Sequence, residues 1–382
     1  EGRLLVYNEA IYDLMVIPRQ VKNLDTIGFC NILGITNDFF KERMSKAKKY
    51  SSFSPSVFMS QITKEEYGKI AESLYQYKGF YFQTRSVRNY PYPIAAHALG
   101  NIGEVSVKDL ERDSYYKGGD YIGKSGIESF YEKELRGEKG MKIIVVDVHN
   151  REKERFMDGA LDTLPIAGKD IYLGLDAELQ TYGEALLKNK TGSIVAIEPS
   201  TGEILALVSS PSYDPNELVG RVRGENYSNL LNDSLKPLIN RATSGIYPPG
   251  STFKMVNALI ALQSGMVNPN TTFVCNGPET QPIRCTHNHN SPVALYEAIE
   301  NSCNPYFWET FKELFASHRF SSTKEAYQYW YDHVTSFGLG STFDTDISSE
   351  MSGNIPKSSF YDKMYRGVWN ALTIRSLSIG QG

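Results

Sequence analysis

No stretch of the 382 residues approaches the roughly 20 apolar residues that a membrane-spanning helix needs. The longest apolar runs, Ile143–Val146 and Ile204–Val208, have the length of buried strands. A secretory leader is missing too, and the chain opens on Glu1-Gly2-Arg3-Leu4-Leu5-Val6, which has the character of a strand interior. The natural start is therefore expected upstream. Neither sign of charge dominates: 40 basic residues face 44 acidic ones, scattered through each other, which excludes a nucleic-acid surface. Histidine is scarce, at six residues. G-x-S-x-G and H-E-x-x-H are both absent, which removes the α/β-hydrolase elbow and the zinc proteases of that motif. Cysteine is limited to Cys30, Cys275, Cys285 and Cys303, and only Cys275 and Cys285 lie close together. That number does not decide the redox compartment.

What remains is an ordinary globular composition, 41% hydrophobic and 22% charged, in a chain too long for one core. The domain boundary is expected near residue 170. Residues 1–170 read as mixed α and β segments, with a helix starting at Thr63-Lys64-Glu65-Glu66. Ser125 and Glu128 fit a capping box, and Ile127, Phe130, Tyr131 and Leu135 form a helical stripe that Gly137 stops. Beyond the boundary, Asp176 should cap a helix with Leu179, Tyr182 and Leu186 on its apolar face. Ser193–Glu198 and Glu203–Val208, joined by Pro199-Ser200-Thr201-Gly202, read as a hairpin apolar on both faces, hence a sheet covered by helices on both sides.

The chemistry sits in Tyr247-Pro248-Pro249-Gly250-Ser251-Thr252-Phe253-Lys254, directly before the apolar run Met255–Leu262. Ser251 should begin a helix that Gly265 ends, with Lys254 one turn up on the same face. A serine hydroxyl needs a base within reach, and a lysine serves if burial and a helix N-terminus lower its pKa. S-x-x-K arises by chance roughly once or twice in a chain this long. Ser45-Lys48 and Ser321-Lys324 also match, but without the Pro-Gly approach or an apolar helix behind. The companion is Ser302-Cys303-Asn304, 51 residues downstream at a junction between helical stretches. Its hydroxyl and amide suit a proton relay and a hold on a substrate amide. The plain alternative is a helix N-cap, and Ser352-Gly353-Asn354 repeats the pattern in what reads as a turn.

S-x-x-K followed by S-x-N resembles the penicillin-recognising serine enzymes. The phrase Tyr247–Lys254 looks like class B penicillin-binding proteins of the elongation type. Ala96-His97-Ala98-Leu99-Gly100-Asn101-Ile102-Gly103, Gly126–Gly137, Ile197–Ala206, Pro211–Asn216 and Ser378-Ile379-Gly380-Gln381-Gly382 agree, in order, over most of the chain. The resemblance implies an α+β protein. A mixed pedestal or dimerisation domain, 1–170, would precede a transpeptidase domain, 171–382, with an antiparallel sheet flanked by helices. It implies Ser251, Lys254, Ser302 and Asn304 as the catalytic set and no required cofactor. Peptidoglycan stem peptides and β-lactams would be its reactants, and a membrane glycosyltransferase and elongation-complex proteins would meet the pedestal. It places an anchor in the inner membrane upstream and the catalytic domain in the periplasm. A β-lactamase or sensor, and a catalytically inert scaffold, are the alternatives.

Two departures matter. The third motif of that family, Lys-Ser/Thr-Gly, does not follow Ser378–Gly382, and Lys124-Ser125-Gly126 and Lys190-Thr191-Gly192 stand in the wrong places. A chain ending at Gly382 is therefore expected to be poorly stable and unreactive. Between the two motifs, Cys275, Cys285, His287 and His289 form a candidate tetrahedral zinc set, with a Cys275–Cys285 disulfide as the alternative.

Overall fold

The computed structural model describes residues 2–147, 152–220, 222–347 and 349–381. They form two compact units: Glu1–Ala242 with Asp346–Ser349, and Thr243–Thr345 with Glu350–Gly382. The boundary expected near residue 170 falls within the first of these units.

In the first unit, strand Tyr7–Val16 is the centre of a three-stranded antiparallel sheet, flanked by Ser56–Ile62 and Phe80–Asn89. Three helices pack on it, each started by a side chain that satisfies a free backbone N–H. Asp25 caps Thr26–Leu33, Thr36 caps Asn37–Tyr50, and Thr63 with Glu66 forms a full capping box on Lys64–Leu74. Phe29, Phe58 and Phe80 meet in the core between helices and sheet. Asp13 is buried in the central strand, where Arg85 Nε at 3.2 Å and the Gln61 amide at 2.8 Å offset its desolvation.

The expected capping box at Ser125 is not formed. Ser125 Oγ accepts instead from Asn101 Nδ2, and Glu128 is buried against Arg88 Nε at 2.8 Å. The helical stripe breaks into Gly126–Phe130 and Glu132–Arg136, leaving Phe130 half exposed, while Gly137 does end it at φ 66°.

Asp176 caps Ala177–Leu186 as expected, but the expected apolar face is turned outward: Tyr182 is 62% exposed. Gln180 and Gly183 face the sheet instead. Gln180 Oε1 accepts from the Leu207 amide at 2.8 Å and Nε2 donates to the Leu207 carbonyl at 3.1 Å. A Cβ at Gly183 would lie 2.8 Å from Val208 Cγ2, so glycine permits the close approach. The expected hairpin forms from Gly192–Ile197 and Ile204–Ser210, antiparallel with an irregularity between Ala196 and Ile197. Burial is one-sided on its first strand, where Val195 and Ile197 are exposed, rather than two-sided.

The second unit is helical: Lys254–Ser264, Leu295–Glu300, Asn304–Ala316, Thr323–Ser336 and Ser358–Met364. Its core joins Ile260, Trp308, Phe311, Tyr327, Trp330 and Tyr361. The rings of Tyr327 and Trp330 are each at most 2% exposed and contribute roughly 2–3 kcal/mol apiece by burial. A second cluster, with Cys275, Cys285, Cys303, Tyr306 and Phe307, packs under the first turn of Asn304–Ala316.

Candidate active site and cysteine cluster

Ser251 lies in the single 3-10 turn Gly250–Phe253, which runs directly into the helix Lys254–Ser264. Gly250 at φ 62° opens the turn and Gly265 at φ 73° closes the helix, its amide returning to the Leu262 carbonyl. Ser251 is exposed, while Lys254, one turn on, is 1% exposed. Lys254 Nζ lies 2.7 Å from the Ser302 carbonyl, 3.0 Å from Ser302 Oγ and 2.6 Å from Asn304 Oδ1. Asn304 Nδ2 in turn donates to the Arg284 carbonyl at 3.0 Å. Lys254, Ser302 and Asn304 are thus brought together beside the turn that presents Ser251.

Burial holds the Lys254 ammonium down at about 8, against an opposing pull from the Cys303 and Cys285 thiols. Neutral Lys254 can donate to both carbonyl oxygens and accept from the Ser302 hydroxyl, so no partner is lost when it gives up a proton. Ser302 has φ 48°, the left-handed region that a serine enters at a cost of about 1 kcal/mol. Its amide bonds the Ile299 carbonyl and the Cys303 amide the Ala298 carbonyl, and these hold the turn. Ser302 is not a helix cap: Cys303 occupies that position in Asn304–Ala316, without a side-chain cap bond.

The other motif matches have plain structural uses. Ser45 and Lys48 are exposed on one helix face. Ser321 Oγ donates to Glu325 and Lys324 pairs with Asp362. Lys124 pairs with Asp109. Ser352 is exposed in an irregular segment beside Gly353 at φ 78°.

The candidate metal donors assemble with one exchange. Cys275, Cys285 and His289 come together with Cys303, their ligand atoms all within 4.8 Å of one another. His287, expected in the set, is outside it: its exposed ring lies against Thr286 Oγ1 at 3.3 Å. Cys303 takes its place because the S-x-N turn folds back under the loop that carries the other three. His289 Nδ1 donates to the Asn290 carbonyl at 2.7 Å, which leaves Nε2 as the acceptor atom facing Cys285 Sγ at 3.4 Å. All four cysteines are free thiols. Burial raises the Cys285 thiol, but hydrogen bonds, foremost that from the His287 amide, prevail and bring it to about 7. Cys303 escaped the sequence reading because it is the unspecified middle residue of S-x-N, 18 residues beyond Cys285.

Residues 1–173 match the penicillin-binding protein dimerisation domain, and residues 192–382 match the penicillin-binding protein transpeptidase domain. The chain belongs to the penicillin-binding proteins. Among curated relatives of this penicillin-binding protein, peptidoglycan D,D-transpeptidase MrdA of Salmonella typhimurium is 31% identical over the whole chain, and that of Haemophilus influenzae 32%. The chain spans 61% and 58% of their lengths. Among solved structures, a penicillin-binding protein PBP2 of Helicobacter pylori, in complex with MreC, superposes with a TM-score of 0.79 at 26% identity. That likeness covers 100% of this chain and 71% of the other. No helix among the described residues is long and apolar enough to cross a membrane.

Proposed function

We propose that this penicillin-binding protein is a serine D,D-transpeptidase that cross-links peptidoglycan stem peptides through an acyl-enzyme on Ser251. The observation that carries the reading is the buried Lys254 amine held among Ser302 Oγ, the Ser302 carbonyl and Asn304 Oδ1, one helical turn from an exposed serine. Neutral Lys254 takes the Ser251 proton as Oγ attacks the carbonyl carbon of the D-Ala-D-Ala bond. The tetrahedral intermediate collapses, and D-Ala leaves with the proton returned through Lys254 and the Ser302 hydroxyl. The amine of a second stem attacks the ester, the same groups take its proton, and Ser251 is freed. Asn304 is left to orient Lys254 and to meet the donor peptide. A β-lactam follows the first half, its ring opening without a departing group.

A fluorescent penicillin added to the complete protein tests this. Stable labelling that Ser251→Ala abolishes supports it. Label that is rapidly hydrolysed points to a β-lactamase or sensor, and no label points to an inert scaffold.

The likeness to PBP2 in complex with MreC supports a partner role for residues 1–173: elongation-complex proteins and a membrane glycosyltransferase would dock there. The same kinship supports an inner-membrane protein with its catalytic domain in the periplasm.

The same reading gives Cys275, Cys285, His289 and Cys303 one structural zinc, with no metal in the chemistry. Three thiolates and one imidazole suit tetrahedral zinc, and the Nδ1 hydrogen bond of His289 fixes the tautomer such a ligand needs. Elemental analysis should find about one zinc per chain, whereas a mass lighter by two protons with no metal would favour the Cys275–Cys285 disulfide.

A further inference from the structure

Asn257 follows Lys254 by one turn of the same helix and is 5% exposed. Its amide is fully used. Nδ2 donates to the Leu377 carbonyl at 3.1 Å and the Ser378 carbonyl at 2.9 Å, and Oδ1 accepts from Trp330 Nε1 at 2.9 Å. A polar side chain buried beside Ala258, Ile260 and Ala261 has a desolvation cost that apolar residues of its size do not have. Three well-placed bonds offset that cost, and all three reach outside the helix.

The receiving segment leads back to the nucleophile. Arg375–Ile379 is a 3-10 turn, tightened by Ser378 Oγ donating to the Arg375 carbonyl at 2.6 Å and by the Gln381 amide on the Ser376 carbonyl at 3.0 Å. It ends at Gly380, φ 68°, whose carbonyl accepts from the Gly250 amide at 2.8 Å. A Cβ on Gly380 would sit 2.2 Å from the Gly250 carbonyl oxygen and 2.7 Å from Phe253 Cβ. Gly250 is the residue before Ser251, and its own φ is 62°. A continuous path of hydrogen bonds and backbone contact therefore runs from Trp330 through Asn257 and the 375–380 turn to the peptide that carries Ser251.

We infer that Asn257 is a positioning residue for Ser251: by clamping the 375–380 turn against the nucleophile helix it fixes the Gly250–Ser251 peptide, and with it the direction of Oγ. Asn257 touches no reactant. Its effect belongs in the acylation step, because reaction rates fall steeply when a reacting atom is misplaced by a fraction of an ångström to an ångström. Reversible capture of the reactant, which does not depend on the line of attack, should be spared. This inference rests on Ser251 being the acylated residue.

The experiment separates the acylation rate constant from the preceding dissociation constant for a fluorescent penicillin on the complete protein. Asn257→Ala should lower the rate constant at least tenfold and leave the dissociation constant within about twofold. Leu314→Ala, a core truncation in the same unit, should lower the melting temperature comparably without that loss. Gly380→Ala should slow acylation as well. The double variant Asn257→Ala, Gly380→Ala should be little slower than Gly380→Ala alone, since both act through one turn. Should Asn257→Ala not fold, Asn257→Ser, which keeps one donor for the two carbonyls, should show an intermediate loss of threefold or more. Wild-type acylation rates in Asn257→Ala or Asn257→Ser, a loss no larger than that of Leu314→Ala, or additive losses in the double variant would overturn the inference alone. A wild-type protein that takes no label overturns the parent reading and this one together.

Discussion

The pH dependence of acylation should carry the signature of Lys254. Its ammonium titrates at about 8 instead of the ordinary 10.5, because the side chain is buried, one turn on from Ser251, among acceptors that do not require its charge. The reactive neutral form is then about one part in a hundred at pH 6, one in ten at pH 7 and nine in ten at pH 9. Acylation of the complete protein by a chromogenic cephalosporin, followed by stopped flow, should rise about tenfold per pH unit up to pH 7 and level off above 8. The full gain from pH 6 to pH 9 should approach a hundredfold. Stability is tied to the same proton. The folded state disfavours the charged form and the unfolded chain keeps its proton to about 10.5, so stability is constant below about 8. It should then climb by on the order of 3 kcal/mol as pH rises from 8 to 10.5. Lys254→Arg keeps the charge but cannot deprotonate, and should slow acylation by roughly 100- to 10,000-fold. A profile flat between pH 6 and 9, in a protein that stays folded, would refute the role given to Lys254.

Three further outcomes follow from named contacts. Ser302→Gly should relieve the left-handed strain and hold or raise the melting temperature, yet slow acylation by roughly a hundredfold as the hydroxyl is lost; unchanged acylation would remove Ser302 from the proton path. Cys303→Ser should lower zinc content by elemental analysis and lower the melting temperature, whereas His287→Ala should change neither. In the pedestal, Arg88→Leu leaves Glu128 buried without its partner and should destabilise by about 3–5 kcal/mol in a denaturant titration, with labelling at Ser251 preserved.

The local signals in the sequence survived folding best. Thr63 with Glu66, Asp176 and Gly265 act where they were read, because a cap satisfies backbone groups within a few residues of itself. The serine and lysine of Tyr247–Lys254 were equally legible, since one helical turn fixes their separation. Burial faces were read less well. Leu179, Tyr182 and Leu186 looked like a core stripe, but Gln180 makes two hydrogen bonds to Leu207 and Gly183 admits Val208, and those contacts decide which face turns inward. Ser125 and Glu128 have the spacing of a capping box, yet the tertiary partners Asn101 and Arg88 claim both side chains. The metal donors show the same limit. Cys275, Cys285 and His289 share one loop and could be read from spacing. Cys303 joins them only through the chain reversal at Ser302.

The most direct test of the account is the intact mass of the complete protein after incubation with a penicillin, followed by peptide mapping. A gain of one penicillin mass is expected on the peptide that holds Ser251, retained for minutes or longer and absent in Ser251→Ala. No gain, or a gain that persists in Ser251→Ala or maps to Ser45 or Ser321, would contradict it.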